Sequence, residues 1–547
     1  MSSAATTFSE RTTTTITRAR RHSIGDLLHR TARRDPDKLA VVDGVTRWTF
    51  AEFDAAVNRC AAALAGQGLT KGDRLALLSH NCHQFGALAF ATARLGVVLV
   101  PVNFMLGPDE IAYILDHSGA KALVTEDALA PTAEKAIARS SAPVAVRARI
   151  GGRGPAGDWA DADAWIAGDD DPGPPDVHVG DDDPGPPDVH VGDDDPLRLM
   201  YTSGTESRPK GVMLSSRSLI TQYTSCIVDG GMTRDDVELH SLPMYHCAQL
   251  DCFFSVDVYL GATSIILPGP DPATLLATIA AERVTKLFCP PTVWISLLRH
   301  PDFDTTDLSS LRKGYYGAAA MPVEVLQELS RRLPEVRLWN FYGQTEMAPL
   351  ATILRPEEQL ERAGSAGRAC LNVETRVVGD DGAELPAGEV GEIVHRSPHA
   401  TLGYYGDEEK TAEAFAGGWF HSGDLGVMTA DGYLSVVDRK KDMIKTGGEN
   451  VASREVEEAL YLLDGVAEVA VFGVSHPHWI EAVTAVVVPK DGVTLTEEQV
   501  HAHARERLAG YKRPKYVVFA DALPKNPSGK ILKRELRAEH ADIAKNG

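Results

Sequence analysis

A chain of 547 residues is longer than one hydrophobic core normally organises, and with 44% hydrophobic and 24% charged residues it reads as a soluble globular protein of two or three domains. A formal net charge of −21 argues against a general surface for nucleic acid or anionic membrane, so no nucleic-acid partner is expected. Seven scattered cysteines with no C-x-x-C pair argue against a disulfide or zinc framework and suit buried thiols in a reducing cytoplasm, the expected location.

Residues 1–23 are rich in Arg and Thr but carry no apolar core segment, so they read as a disordered tail rather than a secretory signal. From Ile24 the pattern alternates. Ala51–Gln67 predicts an amphipathic helix closed by Gly68, and Asp73–Ser79 a buried strand. Gln84–Gly96 with Val97–Val102, and Thr274–Val284 with Thr285–Pro291, repeat that rhythm of an α/β sheet. The most apolar stretch, Phe85–Leu106, is broken by Arg94 and Pro101, so no transmembrane segment is expected.

Gly168–Val179 (GDDDPGPPDVHV) is repeated without change at Gly180–Val191, and GDDDP begins again at Gly192. So much Asp, Pro and Gly predicts a solvated linker over 161–196. The aspartates with His178 and His190 lack the alternation of a calcium loop. Short β-rich runs with Gly and Asp turns predict a β-rich subdomain over about 362–437, and a compact tail follows. The expected fold is α/β: a large N-terminal domain over 24–438 that includes the β-rich subdomain, and a small α+β domain over 439–547.

TSGTESRPKG (Thr202–Gly211) follows a predicted strand, LRLMY, and has the small hydroxyl residues and the lysine of a phosphate loop. It is not a Walker A loop, because Pro209 precedes Lys210 and keeps Arg208 out of a helical first turn. Backbone N–H groups and the hydroxyls of Thr202, Ser203 and Thr205 can wrap an anion while Lys210 adds a point charge. On its own residues the segment is either a different phosphate cradle or an ordinary turn.

Six further motifs accompany it in order: LPMYH (Leu242–His246), YYGAAAMP (Tyr315–Pro322), NFYGQTE (Asn340–Glu346), GWFHSGDLG (Gly418–Gly426), DRKKDMIKTGGENV (Asp438–Val451) and PKNPSGKILKREL (Pro524–Leu536). Together the seven resemble the signature set of the adenylate-forming superfamily of acyl-CoA synthetases, peptide-synthetase adenylation domains and beetle luciferases. The resemblance spans roughly Ile24–Leu536 and is nearest in spelling to the fatty-acyl-CoA synthetase branch.

The resemblance implies an ATP-dependent acyl-CoA synthetase: a carboxylate attacks the α-phosphorus of ATP, pyrophosphate leaves, and a thiol then displaces AMP. ATP, Mg²⁺ and coenzyme A are the implied cofactors, and a fatty or bulky cyclic acid the implied substrate. A carrier-protein pantetheine is the alternative acceptor, a luciferase-like oxidoreductase the alternative of another class, and a homodimer an open assembly.

Site residues carry over motif by motif. Thr202, Ser203, Gly204, Thr205, Glu206 and Lys210 would cradle phosphate, although Glu206 and Ser207 depart from the commonest spelling. Glu346 would ligate Mg²⁺, Thr345 would bond the α-phosphate and Tyr342 would stack on adenine beside Asn340, Phe341 and Gly343. Gly317, Ala318 and Ala319 would bring backbone to the adenine, while Asp424, Val436 and Arg439 would face the nucleoside.

Lys530 would bridge carboxylate and phosphate as the principal catalytic cation, and His246 would orient or gate the acid. Lys441 would be the hinge of the small domain. Lys445, Gly447, Gly448 and Glu449 would line the CoA tunnel, with Lys445 acting in the second half-reaction.

Overall fold

The computed structural model describes residues 10–152, 154, 157–168, 170–173, 189–202, 209–319, 321–447, 449–525 and 531–545. The chain divides into two compact units. One comprises 1–202, 209–374 and 396–413, and the other 203–208, 375–395 and 414–547.

The first unit is built on two sheets. In the nine-stranded sheet, five neighbouring parallel strands (Lys313–Gly317, Lys286–Phe288, Val237–His240, Thr263–Ile266, Leu39–Asp43) continue in parallel to Arg337–Gly343 and are edged by antiparallel strands. The eight-stranded sheet centres on Arg74–Leu78, Val98–Val102 and Ala122–Glu126, with Pro196–Thr202 and Lys210–Ser215 toward one edge. Near-continuous apolar runs make such strands because both faces are buried.

The predicted helix at 51–67 runs Phe50–Gly66. It starts there because Thr49 Oγ1 accepts from Glu52 N at 3.2 Å while Glu52 Oε2 accepts from Thr49 N at 2.7 Å. The helix His83–Leu95 is buried on every face and stops at Gly96, whose φ of 66° is the left-handed cap glycine adopts freely. Arg94, which broke the apolar run in the sequence, is 1% exposed. It is neutralised by Asp54 and donates to the carbonyl of Gly25 at 3.1 Å.

The second unit holds two further sheets. One is four-stranded (Glu374–Val378, Val390–Arg396, Phe420–Met428, Leu434–Arg439). The other pairs the long antiparallel strands Val466–His476 and Ile480–Pro489 with Ile444–Thr446, Glu449–Val451 and Tyr516–Phe519. The apolar faces of the helices Ser453–Tyr461 and Glu497–Arg507 close one core over them.

Three sequence expectations need correction. The tail read as disordered over 1–23 is helical over Glu10–Ala19. The deficit of Thr against Ala is below about 1 kcal/mol per residue, so a threonine run does not forbid a helix. The stretch read as a linker over 161–196 begins with a helical turn, Asp163–Ile166. Its duplicated segment is pinned at both ends: Asn58 donates to Asp171 at 2.8 Å, Lys71 donates to the carbonyl of His190 at 2.9 Å, and Val191 is buried. The β-rich region, expected within the large domain over 24–438, is divided: residues 375–395 and 414–438 fall in the second unit, while 396–413 stay in the first, where Gly403–Tyr404 adds an edge strand against Val212 and Met213.

Candidate active site

Pro196–Thr202 and Lys210–Ser215 form an antiparallel hairpin in which Thr202 pairs with Lys210. The segment TSGTESRPKG therefore joins the two strands of a hairpin. Ser203, Gly204, Thr205, Glu206 and Ser207 lie outside the described residues, as do Gly448 and Lys530. The hairpin holds Thr202 and Lys210 side by side at the base of the loop. The ammonium of Lys210 lies 4.8 Å from the ring centroid of Tyr404, a cation–π placement that directs a flexible cation without neutralising it.

The strand Arg337–Gly343 carries Asn340–Gly343 out of the parallel sheet into a short 3₁₀ turn, Thr345–Met347. A side chain at Gly343 would put its Cβ 1.9 Å from the carbonyl oxygen of Pro349, so only glycine permits this crossing. Beyond it, Glu346 Oε1 accepts from the hydroxyl of Tyr404 at 3.0 Å, and its carbonyl accepts from Thr401 N at 2.8 Å. Lys210, Tyr404 and Glu346 thus form one continuous chain, with the carboxylate partly open to solvent. Tyr404 was missed in the sequence, since a two-residue edge strand carries no periodic signal. The Asn340 amide donates to the carbonyl of Ser365 at 3.0 Å, and Asn340 and Phe341 are both buried. Tyr342 and Thr345 remain partly exposed.

On the neighbouring strand Gly317 is buried, and Ala318 follows with a left-handed φ of 64°; Ala318 and Ala319 are both exposed. A non-glycine residue in that conformation costs on the order of 1 kcal/mol.

His246 ends LPMYH and leads into a π-helical turn, Ala248–Phe254, its carbonyl accepting from Leu250 N at 3.1 Å. The adjacent Cys247 thiol donates to Thr345 Oγ1 at 3.4 Å, which joins this motif to NFYGQTE. Burial pushes the Cys247 thiol far up, so it stays a thiol. The His246 ring keeps an accessible face, yet the protein around it withdraws enough water to push the imidazole down to about 4. It is neutral at pH 7.

In the second unit, Asp424 and Arg439 are registered partners on neighbouring strands, with Arg439 Nε 2.7 Å from Asp424 Oδ1. The carboxylate is 6% exposed and the guanidinium 40%, so the acid is fixed and its partner reaches outward. Val436 pairs with Gly426 on the same ladder. Asp438 has a different task from its neighbour. Its Oδ2 accepts from Ser453 N at 2.6 Å and Ser453 Oγ at 2.8 Å, capping the helix Ser453–Tyr461.

Between these two residues lie Lys441 and Lys445, both exposed; the backbone N–H of Lys445 donates to Glu481 at 2.7 Å. The hairpin Ile444–Thr446 with Glu449–Val451 turns at Gly447, whose φ is 60° and whose missing Cβ would stand 3.1 Å from the Trp479 ring. Glu449 is exposed beside it. A bridge between Lys525 and Ile531 ties the ends of the segment that carries Lys530.

Residues 28–405 match the family model of the AMP-binding enzyme, and 455–530 that of the AMP-binding enzyme C-terminal domain. A feruloyl-CoA synthase of an Amycolatopsis species is 38% identical over 519 residues, 95% of this chain and 99% of its own. A long-chain-fatty-acid–CoA ligase, FadD13 of Mycobacterium tuberculosis, is 35% identical over 95% of this chain and 99% of its own. The crystal structure of ATP-bound MatB from Rhodopseudomonas palustris superposes with a TM-score of 0.83 at 30% identity, covering 95% of this chain and 99% of that one. The chain belongs to the AMP-binding enzyme family. Within it, the chain falls in the acyl-CoA synthetase branch of the adenylate-forming enzymes.

Proposed function

We propose that this protein is an ATP-dependent acyl-CoA synthetase that activates a fatty or bulky hydrophobic acid. A carboxylate oxygen bonds to the α-phosphorus of ATP and the bond to pyrophosphate breaks. The thiol sulfur of CoA then bonds to the acyl carbon, AMP leaves and the thiol proton is lost. The observation that carries the reading is the convergence of Lys210, Tyr404 and Glu346 at the base of the hairpin Thr202–Lys210. Two anions must meet for adenylation, so a directed cation beside backbone donors is the chemistry required.

Glu346 is a hard oxygen donor held at one oxygen by Tyr404 and partly open to solvent, which fits one protein ligand of Mg²⁺. When bound, that ion would neutralise triphosphate charge. Asp424, fixed by Arg439, would accept from the ribose hydroxyls, and the exposed backbone of Ala318 and Ala319 would lie against adenine. Neutral His246 would orient the acid by a hydrogen bond without forming an ion pair. Lys530 would be the catalytic cation, delivered by a rotation about Lys441 that afterwards brings Lys445, Gly447, Gly448 and Glu449 to the thiol. Seven free cysteines support a reducing compartment.

Feruloyl and long-chain acyl groups are the named substrates of two relatives, which supports an apolar acid here. The test is a panel of fatty, aryl and polycyclic acids with Mg-ATP, scored for AMP with and without CoA. Acid-dependent AMP and acyl-CoA are expected, and Lys530→Ala should lower adenylation at least about 10²- to 10³-fold, as loss of one oxyanion donor does. AMP formation that requires a carrier protein instead of CoA would assign the alternative acceptor.

A further inference from the structure

Asn81 lies between the strand Arg74–Leu78 of one sheet and the helix His83–Leu95, and no motif above includes it. Its side chain is 6% exposed and makes three hydrogen bonds to the other sheet. The amide nitrogen donates to the carbonyls of Leu242 at 2.8 Å and Leu267 at 3.1 Å, and the amide oxygen accepts from Met244 N at 2.8 Å. Leu267 directly follows, and Leu242 lies two residues beyond, the ends of neighbouring parallel strands, where α/β sheets place their ligands. One buried side chain therefore grips both sides of the turn that presents His246.

Gln249 grips the same turn from behind. It is 1% exposed, its Oε1 accepts from Leu242 N at 3.3 Å and its Nε2 lies 2.7 Å from His240 Nδ1. An amide nitrogen only donates, so His240 accepts at Nδ1 and carries its proton on Nε2, 3.2 Å from Asp257 Oδ2. Asp257 and Glu238 in turn pair with Lys286, whose ammonium is 2.6 Å from Glu238, and all four groups are fully buried. Glu238, His240 and Asp257 have the donor set of a metal site, but burial and the Asp257 carboxylate push Glu238 well up toward its neutral acid, so the Lys286 ammonium balances the one charge that remains. The cluster is a fixed anchor for Gln249.

We propose that Asn81 and Gln249 are positioning residues for His246, setting the turn so that the imidazole meets the acid in the adenylation step. The inference rests on the reading above that His246 faces the acid. Its test is a cycle of wild type, Asn81→Ala, His246→Ala and the double variant, read by acid-dependent pyrophosphate release and by melting. Asn81→Ala should lower kcat/KM for the acid at least tenfold while leaving KM for ATP within two-fold. In the His246→Ala background the same change should cost less than two-fold, because the group it positions is gone.

An equal tenfold loss in both backgrounds would make Asn81 a purely structural residue and overturn the proposal, as would an Asn81→Ala enzyme that keeps its wild-type kcat/KM. A fully active His246→Ala enzyme would instead overturn the reading of His246 itself. Should Asn81→Ala not fold, Asn81→Asp keeps the acceptor for Met244 and enters the same cycle. Gln249→Glu, which keeps the acceptor for Leu242 and loses the donor to His240, should show the same dependence on His246.

Discussion

The hydroxyl of Tyr404 donates to the carboxylate of Glu346 at 3.0 Å while its ring carries the ammonium of Lys210 at 4.8 Å. One side chain thus serves both the anionic and the cationic half of the candidate site. Tyr404→Phe keeps the ring and removes the hydroxyl, so it separates the two. A hydrogen bond to a partly exposed carboxylate contributes about 1–2 kcal/mol. Half-saturating Mg²⁺ and KM for ATP should therefore rise about five- to twenty-fold in pyrophosphate release, with melting within a few degrees of wild type. Unchanged Mg²⁺ dependence would remove Glu346 from the metal.

Asp424 is held by Arg439 at 2.7 Å, and its carboxylate is 6% exposed. Asp424→Asn preserves shape and removes the charge, and it should raise KM for ATP at least about tenfold, the scale of one hydrogen bond to a charged group. Arg439→Met should do less by direct loss. It also strips the carboxylate of its partner, so melting should fall further for Arg439→Met than for Asp424→Asn. Equal KM values for ATP in all three proteins would show the pair to be structural.

His399 is fully buried, with Nδ1 3.0 Å from the carbonyl of Leu350 and Nε2 3.0 Å from Ser225 Oγ, and burial pushes its imidazole down to about 4. A group whose folded value is depressed contributes stability that is fully present above its unfolded value, about 6.5, and is lost as pH falls through 4. The loss amounts to about 3 kcal/mol at most. Urea unfolding at pH 7, 5.5 and 4.5 should show this decline in the wild type and a flatter one in His399→Gln. Parallel curves would exclude His399 as the source.

Deleting Gly168–Val179 restores the same residue types at both pinned ends, because the second copy supplies an identical GDDDPG start and the original His190–Val191 remain. Loop-closure entropy changes by only about 0.6 kcal/mol per halving of length. Turnover should stay within about two-fold, and a large loss of kcat would place the duplicated segment at the site.

The alternation of helix and strand was legible at the first unit because its central strands are buried on both faces and its helices are framed by Thr49, Gly68 and Gly96. Lys210 was legible as the cation closing a segment of small hydroxyl and glycine residues, whereas Glu346 and Asp424 were reached only through the family resemblance, because an isolated acid near glycine reads as a surface or turn residue. Tyr404, Asn81 and Gln249 were not. Each acts through one or two hydrogen bonds to residues remote in sequence, and such contacts leave no local pattern. Asp438 was read with Arg439, but a carboxylate that caps a helix and one that binds a ligand look alike in a sequence. The helix Glu10–Ala19 was hidden by poor propensity.

The bond from Asp438 to Ser453 spans Lys441, with Lys533 holding the far side of Ser453 at 2.6 Å. The bond lies within the second unit and closes residues 438–453 into a ring, so an insertion in that stretch would have to bulge out around the exposed Lys441 and Lys445 rather than draw the two ends of the ring apart.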